Sequence, residues 1–211
     1  MWQASHIYAE PSVELMAELS RSAVFGPGLY LVRDLAAFPW YRAAHRRALP
    51  APGLAVVREV AFEDRDDPAG GPVIPGDAVA APGGPEIIEP TEVINSGLLQ
   101  GEVALPPGEF LRYLKALHCQ TGSAVAYYYH LTWSGQTELE YAWVFSRQEE
   151  ALLSDRDSSA YRFTAEGGEP FSGSILRRTL GTFGLELPSP FFALHDRGFD
   201  WERWRVEHRH T

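Results

Sequence analysis

Apolar and polar positions alternate most clearly between Ser123 and Phe145, where the chain reads SAVAYYYHLTWSGQTELEYAWVF. Successive side chains of an extended chain point to opposite faces, so residues two apart share a face. Val125, Tyr127, Tyr129, Leu131 and Trp133 form one row, and Leu139, Tyr141, Trp143 and Phe145 form another. Two antiparallel strands place both rows on one side when Leu131 pairs with Leu139, Tyr129 with Tyr141, Tyr127 with Trp143 and Val125 with Phe145. A slip of one residue would turn every side chain over, so burial of the aromatic rows sets this register. It leaves Ser134-Gly135-Gln136 as a three-residue turn, and a five-residue turn keeps the same pairs. The aromatic face is expected to be core. On the other face the register sets His130 opposite Glu140 and Thr132 opposite Glu138, beside Tyr128. A solvated cross-strand pair is the plain expectation there; recognition and acid–base chemistry are the alternatives.

Helical spacing appears three times. Pro11 to Ser20 carries Val13, Met16 and Leu19 at intervals of three. Pro106 to Thr121 carries Phe110, Leu114 and Leu117, with prolines at its start, Glu109 at the positive end of the dipole and Gly122 at the C-terminal cap position. Ser172 to Phe183 carries Ile175, Leu176, Leu180 and Phe183 and stops at Gly184. Strands are expected at Ala23–Val32, bent at Gly26-Pro27-Gly28, and at Leu54–Phe62, with further short ones in Thr91–Ala104 and Tyr161–Ala165. Pro39–Leu49 suggests a short helix whose Arg42, His45, Arg46 and Arg47 form a solvated basic face. The fold class is α+β: a mainly antiparallel sheet with a central aromatic hairpin (123–147), packed by two or three helices. The 211 residues are expected to form a single domain, because a sixty-residue N-terminal piece would make a marginal core.

Charge narrows the function. The chain carries a net −10 at pH 7, and residues 63–90 alone account for −6. That stretch holds Glu63, Asp64, Asp66, Asp67, Asp77, Glu86 and Glu89 against Arg65. Its six prolines and five glycines predict a long loop without regular structure. A net acidic chain lacks the basic footprint that phosphate neutralisation needs, so nucleic acid is not expected as a partner. No apolar run reaches membrane-spanning length, and the first twenty residues do not follow the signal-peptide pattern. A single cysteine, Cys119, implies no disulfide framework. The expected compartment is the cytoplasm.

Catalytic signatures are missing: there is no phosphate-binding glycine loop, no HExxH and no nucleophile elbow. Cys119 beside an apolar stripe is expected to be a buried, inert thiol, although a dyad with His130 is conceivable. Near the C-terminus, His195, Asp196, Asp200 and Glu202 interleave with Arg197, Arg203 and Arg205, which predicts mutual ion pairing. Trp201 and Trp204, three apart, are expected to dock the C-terminus on the core. No cofactor or metal is expected.

In acidity, size and absence of catalytic motifs, the chain resembles bacterial immunity proteins that neutralise cognate toxins. The resemblance implies a basic protein partner, steered by acidic groups and held by aromatic ones. The candidate contacts are Tyr128, His130, Glu138 and Glu140 on the second hairpin face, with Asp64, Asp66 and Asp67 on the acidic loop. The alternative is a small-molecule-binding protein or hydrolase-type enzyme with a pocket near His130 and Glu140.

Overall fold

The computed structural model describes residues 2–34, 52–62, 73–74, 85–90, 105–133, 136–147, 150–154, 175–185 and 200–207. The hairpin forms with the expected pairs. Strands β6 (Val125–Trp133) and β7 (Gln136–Phe145) align Val125 with Phe145, Tyr127 with Trp143, Tyr129 with Tyr141, His130 with Glu140 and Leu131 with Leu139. At its tip the register shifts. Thr132 faces Thr137 and Trp133 faces Gln136, so Glu138 is the extra residue of a bulge and does not oppose Thr132. Apolar burial sets register only as far as Leu139; beyond it Gln136, Thr137 and Glu138 offer no apolar row.

The hairpin is the middle of a larger sheet of order β2-β3-β1-β6-β7-β8, antiparallel at every pairing. The central strand β1 (Trp2–Ala9) precedes the opening helix and has no counterpart among the expected elements. It pairs along its length with β6, Ala4 beside His130 and His6 beside Tyr128. On its other side it pairs with β3 (Leu54–Val57), which pairs in turn with β2 (Leu29–Val32). The bend foreseen before β2 is a 3-10 turn at Gly26–Gly28. The strand expected to run to Phe62 breaks at Glu59, a non-glycine residue at φ 57, and resumes as β4 (Ala61–Phe62). Within the acidic stretch, β5 (Val73–Ile74) pairs in parallel with β4. Strand β8 (Glu150–Ser154) closes the sheet beside β7. The elements expected at 39–49, 91–104 and 161–165 lie outside the described residues.

One face of the sheet takes Ile7, Val125, Tyr127, Tyr129, Tyr141, Trp143 and Phe145 against helices α1 (Val13–Arg21) and α2 (Gly108–Thr121). Helix α2 contributes Phe110, Leu114 and Leu117 as expected, and Leu111 besides. Phe110 meets Tyr127 edge-on at 5.3 Å between centroids. Gly122 ends the helix at φ 69, in the left-handed conformation glycine adopts without strain. Helix α1 buries Leu15 and Leu19, whereas Val13 is 82% exposed; the working stripe is therefore shifted from the expected one. Ser12 caps α1, its hydroxyl accepting from the Leu15 amide at 3.1 Å while Ser123 donates to that hydroxyl at 2.9 Å. Replacing Ser12 with Ala is expected to cost about 1 kcal/mol in a denaturant titration, the usual value of an N-cap.

The other face is a second core. Tyr8, Tyr30, Val56, Ala126, Tyr128, Ala142, Val144 and Leu153 pack against Ile175, Leu176 and Leu180 of α3 (Ile175–Gly181), against Leu185 and against Trp201. This overturns the solvated hairpin face: His130 is 1% and Glu140 2% exposed. The apolar side of α3 matches its expected stripe, and Gly184 follows it at φ 72.

The end of the acidic stretch is tied down. Ile87 is buried in the first core, Glu89 pairs with Arg112, Lys115 reaches the Glu86 carbonyl and Glu150, and the Ile88 amide donates to Glu150 at 3.0 Å. Residues 85–89 carry no helix or strand, as expected of this stretch, yet they pack on the fold. Cys119 is exposed, which corrects the buried thiol; it lies two residues beyond Leu117, the last buried position of α2.

Candidate functional site

Parity along the strands gathers the polar side chains of the second face. Ala4, His6 and Tyr8 on β1 stand beside Tyr128 and His130 on β6, and Glu140 follows on β7. Continuing the β1–β3 register places Arg58 alongside His6, and the Arg58 amide donates to the Gly28 carbonyl at 3.1 Å. The rings run in sequence across the face: His6 to Tyr8 at 5.8 Å, Tyr8 to Tyr128 at 5.6 Å, and Tyr128 to His130 at 6.3 Å.

Glu140 is a structural carboxylate in this arrangement. Its Oε1 accepts from the Tyr128 hydroxyl at 2.8 Å and from the backbone amide of Leu176 at 3.1 Å. The first turn of a helix has amides without intrahelical acceptors. Glu140 supplies one of those acceptors from the sheet and fastens α3 over the second face. His130 is kept neutral by burial, which lowers its pKa to about 4.

At the other end of the face, burial and the neighbouring Arg58 charge lower the His6 pKa to about 3. His6 Nδ1 lies 2.9 Å from the Ser5 carbonyl oxygen and 3.2 Å from the Glu59 amide nitrogen. It can donate to the first or accept from the second, not both. The Ser5 carbonyl already accepts from the Val60 amide at 2.8 Å. A carbonyl oxygen has two lone pairs, so each tautomer has one backbone partner for Nδ1 here: the Ser5 carbonyl when Nδ1 is protonated, the Glu59 amide when it is not.

The Arg58 guanidinium lies 4.4 Å from the Trp201 ring and 5.8 Å from the Tyr30 ring, and its Nη2 donates to Glu59 at 2.9 Å. Trp201 is buried as expected and meets Tyr30 at 5.3 Å. Arg205 fastens the same segment, donating to the Tyr30 hydroxyl at 2.8 Å and to the Pro27 carbonyl at 2.6 Å. It also pairs with Glu202, as the interleaved charges led us to expect. Burial raises the Tyr8 hydroxyl well above its ordinary pKa, with Arg58 acting in the opposite sense and Glu140 adding to the rise.

The structure thus unites Tyr128, His130 and Glu140 on one buried face. Glu138 lies at the bulge, and Asp64, Asp66 and Asp67 fall outside the described residues, as do His195, Asp196 and Arg197. The Cys119–His130 dyad does not form, because α2 covers the first face and His130 belongs to the second. Sequence reasoning missed His6, Tyr8 and Arg58. Along β1, Ala4, His6 and Tyr8 form one parity row and Ser5, Ile7 and Ala9 the other, so each row mixes polar with apolar residues and no alternation signals the strand. Among the described residues no group of three or more His, Cys, Asp or Glu could hold a metal ion, and no helix is long and apolar enough to cross a membrane.

The architecture is that of an α+β protein whose six-stranded antiparallel sheet is packed on both faces. Comparisons of the chain with protein-family models, curated proteins and solved structures find no match.

Proposed function

We propose that the chain is a non-catalytic protein-binding module that holds a basic protein partner through acidic surface, in the manner of an immunity protein. The observation that carries this reading is the concentration of −6 of the −10 net charge in residues 63–90. Helix capping by Glu140 and burial of His130 support the same reading, since they give the most enzyme-like pair in the chain a structural task. They also move the partner-binding surface away from the hairpin. Asp64, Asp66 and Asp67 are the contacts that remain, because a concentration of carboxylates in the sequence steers encounter with a basic partner.

The test is kinetic. A partner is captured from the native host, and its association rate is measured at low and high ionic strength for the wild type and for a variant carrying Asn at positions 64, 66 and 67. We expect the wild-type rate to fall about tenfold or more as salt rises, and the variant to lose most of that dependence. A rate indifferent to salt would rule out electrostatic steering.

A further inference from the structure

We propose that Tyr8, Arg58 and His6 form a site for a small oxyanion, a carboxylate or phosphate group, at the β3–β1 side of the second face. The inference is independent of the partner-binding reading. It starts from two buried donors. Tyr8 is fully buried, and its hydroxyl has no hydrogen-bond partner among the described residues. The Nε of Arg58 is likewise buried without an acceptor. A buried donor left unmade carries its whole desolvation penalty, so such groups in a folded chain call for an acceptor from elsewhere.

The acceptor's chemistry follows from what surrounds the donors. Tyr8 pairs with Val56 across β1 and β3, and Arg58 follows two residues further along the chain with the same parity, so the two groups are diagonal neighbours on one face. His6 stands next to both, its ring 5.8 Å from that of Tyr8 and its β1 position alongside Arg58. The cluster therefore joins one fixed positive charge to two buried donors that lack an acceptor. Glu140, a carboxylate on the same face, already accepts from Tyr128 and Leu176. The Arg58 Cζ lies 4.4 Å from the Trp201 ring centroid and Nε remains without an acceptor; a guanidinium offers its N–H groups in a planar fork that suits carboxylate and phosphate oxygens. Glu59 shows that a carboxylate fits this fork, since its Oε1 lies 2.9 Å from Nη2. Glu59 also marks the way in: its side chain is 48% exposed and that of Arg58 20%. In the free protein its carboxylate competes for the guanidinium.

Thermal melting with inorganic phosphate and, separately, acetate, at ionic strength held constant with sodium chloride, tests the site. We expect a saturable rise in Tm with at least one of the two, and which one responds names the class of oxyanion. Tyr8→Phe removes a single oxygen. It should weaken the apparent affinity about tenfold, as loss of a bond to a charged acceptor does, yet melt at or above wild type when no oxyanion is added. Glu59→Gln should tighten binding by removing the competitor. The proposal is overturned if neither anion acts beyond chloride, if Tyr8→Phe binds as tightly as wild type, or if Tyr8→Phe melts lower without added anion, which would reveal a protein acceptor for the hydroxyl.

Discussion

Between pH 6.5 and pH 4 the protein is expected to lose much of its stability, because two imidazoles are buried in the neutral form. His6 and His130 have pKa values lowered to about 3 and about 4. In the unfolded chain both protonate near pH 6.5. Below that value the unfolded state binds protons that the folded state refuses, so stability falls as pH falls. The contribution of neutral burial is complete above pH 6.5 and is lost down to the folded pKa of each ring. Each histidine contributes a slope of about 1.4 kcal/mol per pH unit in this window, on the order of 3 kcal/mol apiece by pH 4. That loss is comparable with the whole stability of many domains, about 5–15 kcal/mol. The charge environment makes the asymmetry between the two rings understandable. Arg58 faces His6 and opposes its protonation in addition to burial, whereas burial is what lowers His130. Denaturant titrations at a series of pH values from about 7.5 down to about 4.5 measure the effect. His6→Gln and His130→Gln should each flatten the curve by one proton. A wild-type stability that stays level from pH 7 to pH 5 would show that the rings are not held neutral.

The contrast between what could and could not be read from the chain has a physical basis. The hairpin and α2 were legible because each has one face whose burial is decided locally: Tyr127, Tyr129, Tyr141 and Trp143 share a parity, and Phe110, Leu114 and Leu117 a helical stripe. Strand β1 escaped because it is buried on both faces. Ser5 and His6 are as inaccessible as Ile7 and Tyr8, so no alternation of apolar and polar residues marks it. Its polar groups are satisfied by distant partners, Ser5 donating to the Val60 carbonyl at 2.5 Å. The second hairpin face was misjudged for the same reason. Tyr128, His130 and Glu140 look like solvent-facing residues when the hairpin is considered alone. Their cover comes from α3 and from Trp201, far along the chain, and nothing local announces that a helix amide will meet the carboxylate.

A buried polar row of this kind has consequences for specificity as well as energy. Apolar side chains would let α3 slide over the sheet at little cost, whereas Glu140 accepts one hydroxyl and one particular amide. Arg58 has a comparable effect at the opposite end, where stacking on Trp201 sets where the C-terminal segment lies. The face is thus fastened at both ends by polar contacts, with Tyr8 and Tyr128 packed between them.

Glu140→Ala is therefore expected to destabilise the protein by about 2–5 kcal/mol, because it leaves two buried donors, the Tyr128 hydroxyl and the Leu176 amide, without their acceptor and opens a cavity. Glu140→Gln keeps a side-chain oxygen and the volume, so its cost should be clearly smaller. The double variant Glu140→Ala with Tyr128→Phe should recover part of the loss, since it removes one of the two stranded donors. Hydrogen exchange separates this account from a general loosening of the core. In Glu140→Ala the Leu176 amide and its neighbours in α3 should exchange faster than in wild type by more than the change in global stability accounts for, while the amides of α2 on the opposite face follow the global change alone. Equal acceleration on both faces would mean that Glu140 stabilises the fold without fastening α3.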